Sequence, residues 1–235
     1  MSLYKRLSPS NLWRRLFDGK ERLQPVSRVF GLDRGQSIAR YYIEQFLRQN
    51  AAYIRGRVLE VGDPRYTLQF GKDRVTSSEV VHVHSGNPQA TIVGDLATGQ
   101  GIPGGAFDCI ILTQTLQFIY DVNAAIANSY AALASGGTLL ATGTGISQIS
   151  RYDMDRWGDY WRFTDASIRR LFGSIFGGEN VSVVTYGNVR TASAFLQGRA
   201  AEELTKRELA YSDEDYQVVI AVRAFKTNSN EAIDA

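Results

Sequence analysis

The chain reads as an α/β domain, a doubly wound sheet with strands and helices in alternation. Short apolar runs at 58–61, 109–112 and 138–142 have strand length, and stretches of helical period separate them. The runs end on glycine or polar residues, as at Gly62, Asp63 and Thr113. Ligands of open α/β sheets bind at the carboxyl ends of the strands, so Gly62, Asp95 and Thr113 are expected along one edge.

Near the start, Leu12, Trp13, Leu16 and Phe17 have helical spacing with Arg14 and Arg15 between them. Residues 1–35 are read as an N-terminal arm or helix, packed on the body or laid on a membrane surface. The domain body is 36–226, and 227–235 is a polar tail. Ile38, Tyr41, Tyr42, Ile43, Phe46 and Leu47 predict a helix at 36–51. The first strand is 58–61, and Gly71 weakens a short helix at 67–73. Residues 79–84 form a β-branched strand that the turn Ser85-Gly86-Asn87-Pro88 ends. His82 is expected in the core, with His84 turned the other way. Residues 92–93 lead extended into Asp95, and 109–112 is a buried strand. An alanine-rich helix at 121–133 is capped by Gly136 and Gly137 before the strand 138–142. Thr164 or Asp165 caps a helix through Phe176. Strands at 181–186 and 217–225 flank a helical segment at 192–209.

Composition narrows the function classes. A chain of 235 residues with 44% hydrophobic residues can bury a substantial core. The net charge of +2 gives no electrostatic case for nucleic acid. No apolar run reaches membrane-spanning length, so no integral membrane segment is read. The first residues lack the apolar core of a signal peptide, and a cytoplasmic location is expected. With Cys109 the sole cysteine and two histidines in all, neither an internal disulfide nor a metal site is read.

A dinucleotide site wants G-x-G-x-x-G after the first strand, where backbone meets pyrophosphate. Here Gly62-Asp63-Pro64-Arg65-Tyr66-Thr67 keeps only the first glycine, and Pro64 removes an N–H. A nicotinamide-dependent oxidoreductase is therefore disfavoured.

The ordered series from Gly56 to Phe225 resembles the class I S-adenosylmethionine-dependent methyltransferases. Glu60-Val-Gly62 is similar to the acidic residue and glycine of that family's first motif. His84 or Ser85 falls where the family has a ribose-binding carboxylate. Gly94-Asp95-Leu96 matches the adenine-binding position, and Phe107-Asp108-Cys-Ile-Ile-Leu112 the fourth strand. The exit Thr113-Gln114-Thr115-Leu116-Gln117-Phe118 resembles the segment beside the methionine end of the cofactor, and residues 133–140 match the approach to the fifth strand. The resemblance implies a mostly parallel seven-stranded sheet with an antiparallel last strand. It also implies S-adenosylmethionine as cofactor, held by Glu60, Gly62, Asp63, His84, Asp95, Leu96, Thr113 and Gln114. Asp108, by its own place in the chain, reads as an ordinary strand start.

Residues 151–164 are dense in aromatic and charged side chains. Trp157-Gly-Asp-Tyr-Trp161-Arg-Phe-Thr164 resembles type 11-like methyltransferases encoded with glycosyltransferases and natural-product pathways. The resemblance implies methyl transfer to an oxygen of a small-molecule acceptor: a sugar, glycoside or other natural product. Tyr152, Arg156 and Trp157 are the candidate acceptor contacts, and Asp153, Asp155 and His84 the candidate bases. A carboxylate acceptor would need no base. The alternative is a catalytically inactive methyltransferase-like binding or scaffold protein, favoured by the missing glycines and the missing ribose carboxylate. Nothing in the chain excludes a homodimer.

Overall fold

The computed structural model describes residues 23–227. The expected N-terminal helix at Leu12–Phe17 and nearly all of the polar tail lie outside the described residues. One seven-stranded sheet organises the rest. Its strands are β1 (Gly56–Val61), β2 (Val75–His82), β3 (Ile92–Val93), β4 (Phe107–Thr113), β5 (Leu133–Thr144), β6 (Val181–Tyr186) and β7 (Val219–Phe225). They lie in the order β3-β2-β1-β4-β5-β7-β6. Strands β1 to β5 run parallel, and β7 is antiparallel to both neighbours. This is the mostly parallel sheet with an antiparallel last strand that the sequence implied. The strand order reverses between β1 and β4, so a crevice opens at their carboxyl ends.

Helices cover both faces because strand residues alternate sides. Cys109 and Ile111 of β4 pack with α1 (Ile38–Gln49), α5 (Val189–Leu196) and α6 (Lys206–Ala210). Ile110 and Leu112 pack with α2 (Val122–Ala132) and α4 (Asp165–Phe176). Burial on both sides is why β4 reads as one continuous apolar run. Local chemistry sets the helix starts. Asp121 accepts from the Ala124 amide at 2.9 Å, and Thr164 and Ser167 form a reciprocal capping box. A short helix, α3 (Arg151–Met154), follows β5. Among the described residues no helix is long and apolar enough to cross a membrane.

Several expectations are corrected. Gly136 and Gly137 do not cap α2; they lie inside β5, which starts at Leu133 immediately after the helix. Gly136 has φ +73 at the irregularity where β5 shifts register against β4, and a glycine takes that conformation without strain. The helical segment 192–209 is broken: α5 stops at Leu196 and Gly198 has φ +74. β2 begins at Val75 rather than at 79, because its first half, Thr76-Ser77-Ser78, is too polar to read as a strand. The β1–β2 crossover is helical where a short helix was expected, but it opens at Arg65 and is not a regular α-helix. A π-helical turn (Thr67–Gly71) and a 3-10 turn (Lys72–Arg74) follow.

Residues 23–36 form a strap over the carboxyl edge of the sheet. The Val26 amide donates to Gln197 O at 2.8 Å, and the Ala201 amide to Gln36 O at 2.8 Å. Arg34 forks onto Glu203 at 2.8 and 3.1 Å. Gly198 sits so close beneath the strap that a Cβ there would collide with the Ser27 carbonyl. Gly198→Ala combines that backbone collision with a left-handed φ. It should destabilise the protein by about 1–3 kcal/mol, measured by urea denaturation; an unchanged midpoint would show that the strap is not seated there.

Candidate functional site

A cavity of about 750 Å³ opens at the carboxyl ends of β1, β4 and β5. Glu60, Val61, Asp63, Thr113, Gln114, Gln117 and Thr144 line its sheet side. The strap contributes Arg28, Phe30 and Leu32, α1 contributes Arg40 and Ile43, and the β5–α4 connection contributes Gln148, Tyr152 and Asp153.

Glu60, only 3% exposed, is one of the residues of the floor. Its carboxylate accepts from the Tyr66 amide at 3.1 Å, and from the Thr67 amide and hydroxyl at 2.7 Å each. It therefore holds the first amides of the short helical stretch that follows β1. Burial pushes its pKa up to about 7, although those hydrogen bonds favour the ionised form. Between Glu60 and Tyr66 the backbone turns at Gly62, with φ +86. A Cβ on Gly62 would meet nothing within 4 Å, so open space lies directly above it. The Asn87 side chain donates to Gly62 O at 2.6 Å and ties the β2 exit to the β1 exit.

At the β4 exit Gln114 takes a left-handed φ of +49. Its amide donates to Thr142 O at 3.1 Å. Its side-chain oxygen accepts from the Thr144 hydroxyl and, at 3.1 Å, from Gln117 Nε2. This network costs backbone strain and fixes the Gln114 amide in the cavity wall. Gln117 is 3% exposed, and its Oε1 has no hydrogen-bond partner among the described residues.

The connection after β5 is held by an internal clamp. Arg162 forks onto Asp159 at 2.6 and 2.9 Å and donates to Gln148 O at 2.8 Å. Burial raises the Asp159 pKa, but Arg162 and the Ser150 amide outweigh it and hold the carboxyl below its ordinary value. Asp153 accepts from the Ser150 hydroxyl at 2.5 Å. Trp161 donates to Ile119 O and Tyr120 O at 3.2 Å each, a packing role.

No family model matches the chain, and no curated protein does. Solved structures do. An S-adenosylmethionine-dependent methyltransferase from Archaeoglobus fulgidus superposes with a TM-score of 0.52 at 11% identity, over 80% of this chain and 94% of that one. The N-methyltransferase NodS from Bradyrhizobium japonicum WM9 gives 0.50 at 17% identity, over 81% and 97%. The chain has the class I methyltransferase fold. These identities establish fold alone, and the [4+2]-cyclase SpnF matches as well, with 0.54 at 16% identity over 83% and 84%.

Within the methyltransferase fold the sequence-derived site residues divide. Glu60, Asp63, Thr113, Gln114, Tyr152 and Asp153 line the cavity. Gly62 adjoins it through its neighbours Val61 and Asp63. His84, Asp95, Leu96, Asp155, Arg156 and Trp157 are not in its wall. Asp95 caps its own turn, accepting from the Ala97 amide at 2.8 Å, and Leu96 is buried. Asp155 lies 3.5 Å from Arg151 on an exposed surface. Arg156 folds back over the Tyr152 ring, 3.6 Å from its centroid. The His84 ring lies 5.4 Å from that of Trp157, and the His82 ring 5.7 Å from the same indole. His82 is thus not in the core: residues two apart on an extended chain share a face, and both rings meet Trp157. Asp108, at the opposite edge of the sheet, accepts from the Arg57 amide at 2.8 Å, an ordinary strand-start role. Sequence reasoning did not single out Gln117, Arg28 or the Asp159–Arg162 clamp. Only the i, i+3 opposite charges of the last gave a signal.

The Glu60 carboxyl makes stability depend on pH. Its folded pKa of about 7 lies above its ordinary value of 4.5, so folding takes up a proton between those values. The stabilisation is full below about pH 4.5 and is lost as pH rises through 7, a loss on the order of 3 kcal/mol. Urea melts at pH 5 and 7.5 should show this slope in the wild type and not in Glu60→Gln. The same slope in both proteins would assign it to other groups.

Proposed function

We propose that this protein is an S-adenosylmethionine-dependent methyltransferase acting on an oxygen of a small molecule. One observation carries the reading. In a methyltransferase fold, the first-motif positions Glu60 and Gly62 and the β4 exit Thr113–Gln114 meet at one cavity, and the space over Gly62 is open. Gly62, Asp63, Thr113 and Gln114 would hold the amino-acid end of the cofactor. Asp95, Leu96 and His84 would hold the nucleoside end, with Asp95 offering its second carboxylate oxygen to the adenine amino group. Glu60 acts through the loop it caps rather than by direct contact.

When bound, the cofactor supplies an electrophilic methyl group on a sulfonium. The chain's own work is to position the acceptor and to exclude water. The strap and the β5–α4 connection wall the cavity off, and Gln148 Nε2 links them by donating to Arg28 O at 2.9 Å. Of the candidate bases, Asp153 lines the cavity, whereas His84 and Asp155 do not. Tyr152 supplies an aromatic face beside it, which suits a ring-bearing acceptor such as a sugar or natural product.

A second reading, a methyltransferase-like binding or scaffold protein without turnover, is favoured by Pro64 and by His84 standing against Trp157 where a ribose carboxylate would be. Calorimetry with S-adenosylmethionine and S-adenosylhomocysteine separates the two. The methyltransferase reading expects binding of both, and Asp95→Ala should weaken S-adenosylhomocysteine binding by about 1–3 kcal/mol. Absence of heat with either ligand would remove this reading and leave the scaffold.

A further inference from the structure

Five arginines line the cavity: Arg28, Arg40, Arg65, Arg151 and Arg162. Three of them face carboxylates, Arg65 on Asp63 at 3.9 Å, Arg151 on Asp155 at 3.5 Å and Arg162 on Asp159 at 2.6 Å. Among the described residues the guanidinium groups of Arg28 and Arg40 have no hydrogen-bond or ion-pair partner. Arg40 is half-buried in the first turn of α1, whereas Arg28 is exposed, on the strap at the mouth. A guanidinium cannot shed its charge, so the half-buried, unpaired Arg40 leaves a cost that an anionic ligand offsets, and Arg28 at the mouth can add a second fork to that ligand. Phe30, Phe118 and Phe195 give the same cavity an apolar wall.

We propose that the acceptor is a carboxylic acid on an apolar body, its carboxylate held by Arg28 and Arg40 and methylated on oxygen. The proposal rests on the methyltransferase reading above. One carboxylate oxygen forms the bond to the methyl carbon as the carbon–sulfur bond breaks, and that electron pair stays on sulfur. The products are a methyl ester and S-adenosylhomocysteine, and no proton is released. The reaction needs no general base. That agrees with His84 and Asp155 standing outside the cavity wall and with Asp153 being occupied by the Ser150 hydroxyl. The planar fork of an arginine can hold one carboxylate oxygen and aim the other.

The test uses the full chain saturated with S-adenosylhomocysteine and two probes, 4-phenylbutyrate and its uncharged amide. Calorimetry should show the acid binding at least about ten-fold tighter than the amide. Arg28→Ala and Arg40→Ala should each remove most of that preference, while Arg40→Lys, which keeps the charge without the fork, restores part of it. S-adenosylhomocysteine affinity should stay within about two-fold in all variants. With radiolabelled S-adenosylmethionine, transferred methyl should be released by alkali as methanol, as a methyl ester requires. Equal binding of acid and amide would overturn the proposal. So would arginine variants that weaken S-adenosylhomocysteine alone, since these would assign Arg40 to the cofactor's own carboxylate. A wild-type protein that binds no S-adenosylhomocysteine would fail at the earlier step, taking the methyltransferase reading with it.

Discussion

The buried carboxylate of Glu60 is the interaction on which the site depends. A β1–β2 crossover ordinarily presents a helix N-terminus at the end of the first strand. Here that helix is a short, mostly π-helical stretch opening at Arg65 and followed by a 3-10 turn, and its first amides would be left without acceptors. Glu60 accepts from two of those amides and a hydroxyl, and so turns a short irregular segment into a fixed loop. The carboxyl bears a desolvation cost for this, visible in its raised pKa. In return Gly62 stays open above the strand, and the crevice at the switch point keeps its depth.

The remaining walls are held by charge pairs between segments distant in sequence. Glu203 receives Arg34 from the strap and Arg199 from its own side, and hydrogen bonds hold its pKa down to about 2. Exposed pairs of this kind contribute little each, and backbone hydrogen bonds to Gln36 and Gln197 supply the seating. Across the mouth, the Asp159–Arg162 clamp shapes the other wall. Once these carboxylates are paired, Arg28 and Arg40 are left over. The cavity therefore has an apolar wall and two guanidinium groups without a carboxylate partner, a combination that the net charge of the whole chain conceals.

The aromatic segment after β5 divides into separate tasks. Trp161 pins the β4 exit, Trp157 covers the two histidines at the β2 tip, and Tyr152 reaches the cavity. Similar residue types a few positions apart thus meet three different surfaces, because the chain turns sharply at Gly158, φ +90.

The sequence by itself determined the sheet and its edge. Apolar runs buried on both faces, such as 109–112, have no other low-energy use than interior strands, and the polar residues that end them must lie at the strand tips. It also determined a helix start at Asp121 and another at Thr164 or Asp165, because a cap acts within four residues, and the structure gives the second cap to Thr164. Tertiary structure alone decided what depends on partners far along the chain. Gly136 and Gly137 read as a helix cap until β5 is seen to begin beside β4 and bulge there. The polar start of β2 becomes a strand only by pairing with β1. Whether a carboxylate or a guanidinium is free for a ligand depends on which opposite charge folds against it. That is why Asp155 and His84 looked equivalent to Asp153 as bases in the sequence, and why the sequence did not show that Arg34 is paired while Arg40 is not.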